Sequence, residues 1–163
     1  MGMNFLLLTE SSPTGKNQKI VNDIQNLIEH YTQNANFSKY NFRQLSPVVS
    51  EIKIKESDVI IMVVPEWNGS IPYTLKELID NSGWPSAFKE KKIVLIGTCG
   101  SMESDFEGIK HLRYILGYVG AIVKLDSVYF KGLSKDLPKE HYRSETLHLV
   151  NLIQEICSTT IKN

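Results

Sequence analysis

With 163 residues, 42% of them hydrophobic and 22% charged, the chain is long enough to bury a core and is composed like a globular domain. Its 18 Lys and Arg balance 18 Asp and Glu, so composition gives no support for a general nucleic-acid or membrane surface. Cys99 and Cys157 have no metal-type spacing, and the opening MGMNFLLLT lacks a basic n-region and a signal-length apolar core, so the expectation is one cytoplasmic domain over residues 1–163.

Met3 to Leu8 is a first apolar run and reads as a strand. A hydroxyl-rich loop, Thr9 to Asn17, leads to a helix marked by Ile20, Val21, Ile24, Leu27 and Ile28. Tyr40 to Leu45 reads as a short second strand, and Pro47 to Lys55 as a connector with room for some helix. Val59 to Val64 is an unbroken apolar run of the kind buried on both faces of a parallel sheet. It stops at Pro65, and Glu66-Trp67-Asn68-Gly69-Ser70 is turn chemistry around one aromatic. Pro72 opens a helix carrying Leu75, Leu78 and Ile79. Ser82 to Lys91 and Lys131 to Pro138 read as flexible pieces. Ile93 to Ile96 is a fourth buried strand, and Phe106, Ile109, Leu112 and Leu116 suggest a helix. Ala121 to Phe130 reads as the fifth strand, and Ser144 to Ile156 as a closing helix. Strands alternating with helices predict an α/β, doubly wound parallel sheet.

In such a sheet the loops after strands one, three and four emerge at the same edge, where ligands bind. Thr9, Ser11, Ser12 and Lys16 could meet an anion at a helix start, or could serve only as turn and N-cap residues. Trp67 could be a stacking platform for a flat ring, or a hydrophobic plug or subunit contact. Gly69 permits close backbone approach, while Thr98, Gly100 and Ser101 are small enough to lie against a ring or to make a tight turn. Together the loops suggest a phosphorylated planar heteroaromatic such as FMN.

The run Pro65-Glu66-Trp67-Asn68-Gly69-Ser70-Ile71-Pro72, followed by Leu75-Lys76 and Ile79-Asp80, resembles the NADPH-dependent FMN reductase family. That family's usual form is Pro-Glu-Tyr-Asn-(Gly or His)-Ser-hydrophobic-Pro. The resemblance implies a flavodoxin-like five-stranded sheet of order 2-1-3-4-5, bound FMN, and NADPH or NADH as electron donor. It also implies a quinone, azo, metal or flavin acceptor, and a homodimer or homotetramer in which the helix after Pro72 is a candidate surface.

Carried over by position, the flavin-ring loop falls on Pro65, Glu66, Trp67, Asn68 and Gly69, with Trp67 in place of Tyr. The loop on the other side of the ring falls on Thr98, Cys99, Gly100 and Ser101. The first loop departs from the family's Gly-Ser-x-Arg-x-x-Ser-x-Asn. Asn17 survives, but Thr9 and Glu10 stand at the Gly-Ser positions, Ser12 at the Arg and Gly15 at the second Ser. Glu10 thereby brings a like charge toward a phosphate, which Lys16 and the serines would have to offset.

Hydride transfer needs no obligatory side-chain acid or base, so no catalytic residue is expected. His30, His111, His141 and His148 form no evident pair, and Cys99 reads first as a small buried hydrophobe. Two alternatives remain open at this point: a flavodoxin-like electron-transfer module that does not oxidise NAD(P)H, and a member that has lost flavin.

Overall fold

The computed structural model describes residues 2–10, 16–31, 35–133 and 139–160. The order of elements is β1 (Asn4–Thr9), α1 (Lys16–Tyr31), β2 (Asn36–Asn41), α2 (Pro47–Glu56), β3 (Val59–Pro65), α3 (Tyr73–Asp80) and β4 (Lys92–Thr98). The chain then runs through α4 (Glu107–Tyr118), β5 (Ile122–Val123), β6 (Val128–Phe130) and α5 (Lys139–Thr160). All pairings are parallel and the strands lie in the order β2-β1-β3-β4-β5, with β6 also on β4. This is the doubly wound, flavodoxin-like sheet expected from the alternation of elements.

Strand alternation decides which helix covers which face. Phe5, Leu7, Val59, Ile61, Val63, Val94 and Ile96 point to one side, where Ile20, Val21, Ile24 and Ile28 of α1 and Leu149, Leu152, Ile153 and Ile156 of α5 pack. Leu6, Leu8, Ile60, Met62, Val64, Ile93 and Leu95 point to the other, under Ile54 of α2, Leu75 and Ile79 of α3, and Leu112 and Leu116 of α4. The central strands are therefore apolar at successive positions because both of their faces are buried. Among the described residues, no helix is long and apolar enough to cross a membrane.

Four expectations are corrected. The second strand is Asn36–Asn41, not Tyr40–Leu45: it pairs in register with β1 from Asn4↔Asn36 to Thr9↔Asn41, and beyond Asn41 the chain turns. Pro47–Glu56 is a helix rather than a connector, begun by Ser46, whose Oγ accepts from Val49 N–H at 3.4 Å, with Pro47 at the first helical position. The 82–91 connector is packed, not loose. Ala87 and Phe88 are buried in the core, and the Ser82 and Ser86 hydroxyls lie 2.7 Å apart.

The fifth strand is split. Ile93 pairs with Val123 but Ile96 pairs with Val128, so this edge carries two more residues than β4 over the same span. The Arg113 guanidinium of α4 holds the break, donating to the Lys124 carbonyl and, at 2.6 Å, to Ser127 Oγ.

Candidate functional site

The carboxyl ends of β1, β3 and β4 meet at one edge of the sheet. Immediately after β3, Trp67 N–H donates to the Ser70 carbonyl at 2.9 Å and Ser70 N–H donates to the Trp67 carbonyl at 3.0 Å. Asn68 and Gly69 between them both have positive φ, 51° and 73°. Two left-handed residues closing a reciprocal pair make a two-residue hairpin turn, the reason an Asn-Gly pair stands here. The result is a small lobe whose tip, Asn68-Gly69, is exposed and whose base is fixed by Glu66 N–H donating to the Thr98 carbonyl at 2.8 Å. Trp67 is 42% exposed.

The β4 loop is stitched to β6 and the chain beyond it. Cys99 N–H donates to the Phe130 carbonyl at 3.0 Å, and the Cys99 and Ser101 carbonyls accept from Leu133 and Gly132 at 3.0 and 3.1 Å. Ser101 Oγ accepts from Glu103 N–H at 3.0 Å, turning the chain toward α4. Cys99 is a partly buried free thiol packed on the core. Pro65, Glu66, Trp67, Asn68 and Gly69 thus face the same edge as Thr98, Cys99, Gly100 and Ser101.

Two glycines set the spacing of these loops, and the sequence did not single them out. A Cβ on Gly108, in the first turn of α4, would lie 2.8 Å from the backbone carbon and oxygen of Ser70. That close approach seats α4 directly against the Trp67–Ser70 lobe. A Cβ on Gly97 would lie 2.7 Å from the ring of Phe106, which fills the space beneath the β4 loop.

Four side chains at this edge carry shielded polar atoms without a hydrogen-bond partner among the described residues: Thr9 Oγ1, both carboxylate oxygens of Glu10, Glu66 Oε2 and Thr98 Oγ1. They belong to β1 and the residue after it, the β3 loop and β4. Buried polar atoms are ordinarily paired, so their grouping at one sheet edge fits a ligand with several hydrogen-bonding groups.

In the first loop, Thr9 ends β1 and is buried, and Asn17 is half-buried in the first turn of α1. Lys16 begins α1, and Ser11 and Ser12 lie outside the described residues. Glu10 is not the isolated charge that the sequence suggests. Its carboxylate, 6% exposed, forms an ion pair with Arg43 Nε, and the Arg43 guanidinium carbon lies over the Trp67 ring, 4.6 Å from its centroid.

Arg43 was missed because Tyr40–Leu45 reads as strand. The signal was Asn41, whose Oδ1 accepts from Arg43 N–H at 3.0 Å in a side-chain-closed turn.

A family model, NADPH-dependent FMN reductase, matches residues 18–136, more than two-thirds of the chain. The chain belongs to that family. It is accordingly an NAD(P)H-dependent oxidoreductase of the FMN reductase type, with FMN as cofactor and a nicotinamide nucleotide as donor. None of the curated proteins matches the sequence.

Solved structures repeat the fold at low identity. An oxidoreductase from Corynebacterium diphtheriae matches at TM-score 0.81 and 15% identity over 100% of both chains. The flavoenzyme NAD(P)H:(acceptor) oxidoreductase FerB from Paracoccus denitrificans matches at TM-score 0.79 and 16% identity, over 96% of this chain and 98% of that one. An azoreductase from Bacillus anthracis matches at 0.73 and 13%, over 94% and 99%.

Proposed function

We propose that residues 1–163 form one flavin-binding domain that passes electrons from NADPH or NADH, through FMN, to a small planar acceptor such as a quinone, an azo compound or a free flavin. The observation that carries this reading is the three-loop edge itself, with its shielded polar atoms on Thr9, Glu66 and Thr98 and its half-exposed Trp67. In this reading the Pro65–Gly69 lobe and the Thr98–Ser101 loop border the flavin ring. Their backbone N–H and C=O groups orient its polar edge, and Thr9, Lys16 and Asn17, with Ser11 and Ser12, serve the phosphate side. FMN supplies, when bound, the two-electron chemistry linking donor and acceptor, while the protein orients and shields. Beyond the planar acceptors, a metal oxyanion belongs to the same proposal.

We also infer a homodimer acting in the cytoplasm. Tyr73, Trp84, Tyr114 and Tyr118 are 70%, 85%, 75% and 78% exposed, and lie along α3, the chain after it and α4. A cleft of about 450 Å³ between these helices is lined by Tyr73, Lys76, Glu77, Asp80 and His111 among others. Exposed aromatics of this kind are enriched at protein contacts. The Tyr114→Glu, Tyr118→Glu double variant is expected to shift the protein to monomer in sedimentation; an unchanged mass would place any contact elsewhere.

The central test is spectroscopic. Protein saturated with FMN and desalted should retain a flavin spectrum that bleaches on anaerobic addition of NADPH or NADH. Retained flavin that neither donor bleaches would overturn the reductase reading and favour an electron carrier reduced by a protein partner.

A further inference from the structure

We propose that Arg43 is a phosphate ligand of the flavin site, gripping the phosphate monoester of FMN through the Nη edge of its guanidinium. The inference rests on the flavin reading above and adds a residue from the loop after β2. Four observations carry it.

The turn that bears Arg43 is fixed to the end of β1. Phe42 N–H donates to the Thr9 carbonyl at 3.0 Å, Gln44 N–H donates to the Asn41 carbonyl at 3.0 Å, and Asn41 Oδ1 accepts from Arg43 N–H. The side chain is then held at two further points. Nε is paired with the shielded Glu10 carboxylate, and the guanidinium carbon lies over the Trp67 ring. A guanidinium held at Nε and over an aromatic ring has lost much of its rotamer freedom before any ligand arrives, which lowers the entropy cost of binding.

The Arg43 side chain is 40% exposed, and the Nη groups have no hydrogen-bond partner among the described residues. Two parallel N–H groups on a planar fork match the oxygens of a phosphate. Finally, the guanidinium lies between Glu10, the residue after β1, and the Trp67 ring of the lobe after β3, and its neighbour Phe42 is hydrogen-bonded to Thr9 at the end of β1. A phosphate there is within the reach of a ligand whose ring borders that lobe.

The pairing with Glu10 also explains how a carboxylate is accommodated in a site for an anion: Arg43 cancels its charge and keeps a hydrogen-bonding edge for the ligand. A nucleotide phosphate could come from the flavin or from the nicotinamide donor, and the experiment separates the two.

Dissociation constants for FMN and for riboflavin, which lacks the phosphate, are measured by quenching of flavin fluorescence. They are taken for the unmodified protein and for Arg43→Gln, Arg43→Lys, Glu10→Gln and the Glu10→Gln, Arg43→Gln double variant, each checked for its melt by circular dichroism. Loss of charge-assisted hydrogen bonds predicts FMN weakened about 10- to 100-fold in Arg43→Gln, with riboflavin unchanged within about twofold. Arg43→Lys should recover part of the loss. Glu10→Gln, which releases Arg43 from a competing acceptor, should tighten FMN relative to riboflavin, and the double variant should stay weak for FMN.

Equal weakening of both flavins would show that Arg43 acts only by bracing Trp67, and recovery in the double variant would show that it only neutralises Glu10. A raised KM for NADPH with an unchanged FMN-to-riboflavin ratio would assign the fork to the donor. Each of these overturns the proposal while leaving the flavin reading intact. An unmodified protein that binds neither flavin would instead remove the flavin reading itself.

Discussion

Gly108 and Gly117 are both in α4, yet alanine should have opposite effects at the two positions. At Gly108 the new Cβ would meet the Ser70 backbone carbon and oxygen at 2.8 Å and the Ile71 nitrogen at 3.2 Å. Backbone has no rotamer to yield, so either the first turn of α4 or the Trp67–Ser70 lobe must shift by about half an ångström. Overpacking of this kind costs about 1–3 kcal/mol, against which alanine's helix preference returns at most about 1 kcal/mol. The expected net destabilisation is on the order of 1 kcal/mol, or a fall of roughly 2–4 °C in Tm for a chain of this size. At Gly117 a Cβ meets nothing within 4 Å, so only the helix preference remains and Tm should rise by a similar amount. Thermal melts of the flavin-free protein measure both, and FMN titration of Gly108→Ala should show weakened binding if the displaced lobe borders the ring as proposed. Gly108→Ala melting at or above the unmodified protein would refute the close-approach argument. A normal flavin affinity in a clearly destabilised Gly108→Ala would refute the link from α4 to the lobe.

Other predictions concern the same scaffold. Gly69→Ala has open space around its Cβ but must hold φ near 73°, so the lobe should lose about 1 kcal/mol and flavin affinity should fall, measured by fluorescence titration. Arg113→Met should lower the urea midpoint by the equivalent of about 1–3 kcal/mol, because the Lys124 carbonyl and Ser127 hydroxyl lose their donor at the break between β5 and β6. Arg113→Lys should restore only part of that, since one ammonium cannot reproduce the fork.

Tyr142 of α5 donates to Asp23 of α1, and Lys19 donates to the Tyr142 hydroxyl at 2.9 Å. Burial, then the Asp23 hydrogen bond, raises the Tyr142 pKa above 10.0, and the Tyr142 hydrogen bond raises that of Lys19 above 10.5. Both raised values make stability full below about pH 10 and lost as pH climbs through the folded-state values. Tyr142→Phe should flatten this alkaline loss in urea melts taken between pH 9 and 11; an unchanged slope would mean that the α1–α5 contact does not titrate as a unit.

Much of the architecture was legible in the chain because burial on two faces leaves a continuous apolar run. Val59–Val64 and Ile93–Ile96 could hardly be read otherwise, and both fall within observed strands. The Asn68-Gly69 turn was equally local, since left-handed backbone at consecutive positions selects those residues. The half-exposed edge strands were not legible. β2 has no fully buried residue, so nothing in its sequence fixes where it starts, and its register comes from β1 alone. The break between β5 and β6 was hidden for a similar reason: Arg113, more than ten residues away, holds it.

The site divides along the same line. The sequence by itself determined the lobe at Pro65–Ser70, the small residues at Thr98–Ser101 and the family to which they belong, because their turn chemistry and spacing are written in consecutive residues. The tertiary structure decided what surrounds them. Only packing could set Gly108 against Ser70, or bring Arg43 from the loop after β2 onto Glu10 and Trp67. Charge compensation and close approach are properties of neighbours in space, and Glu10, an uncompensated anion in the sequence, is neutralised by a residue more than thirty positions away.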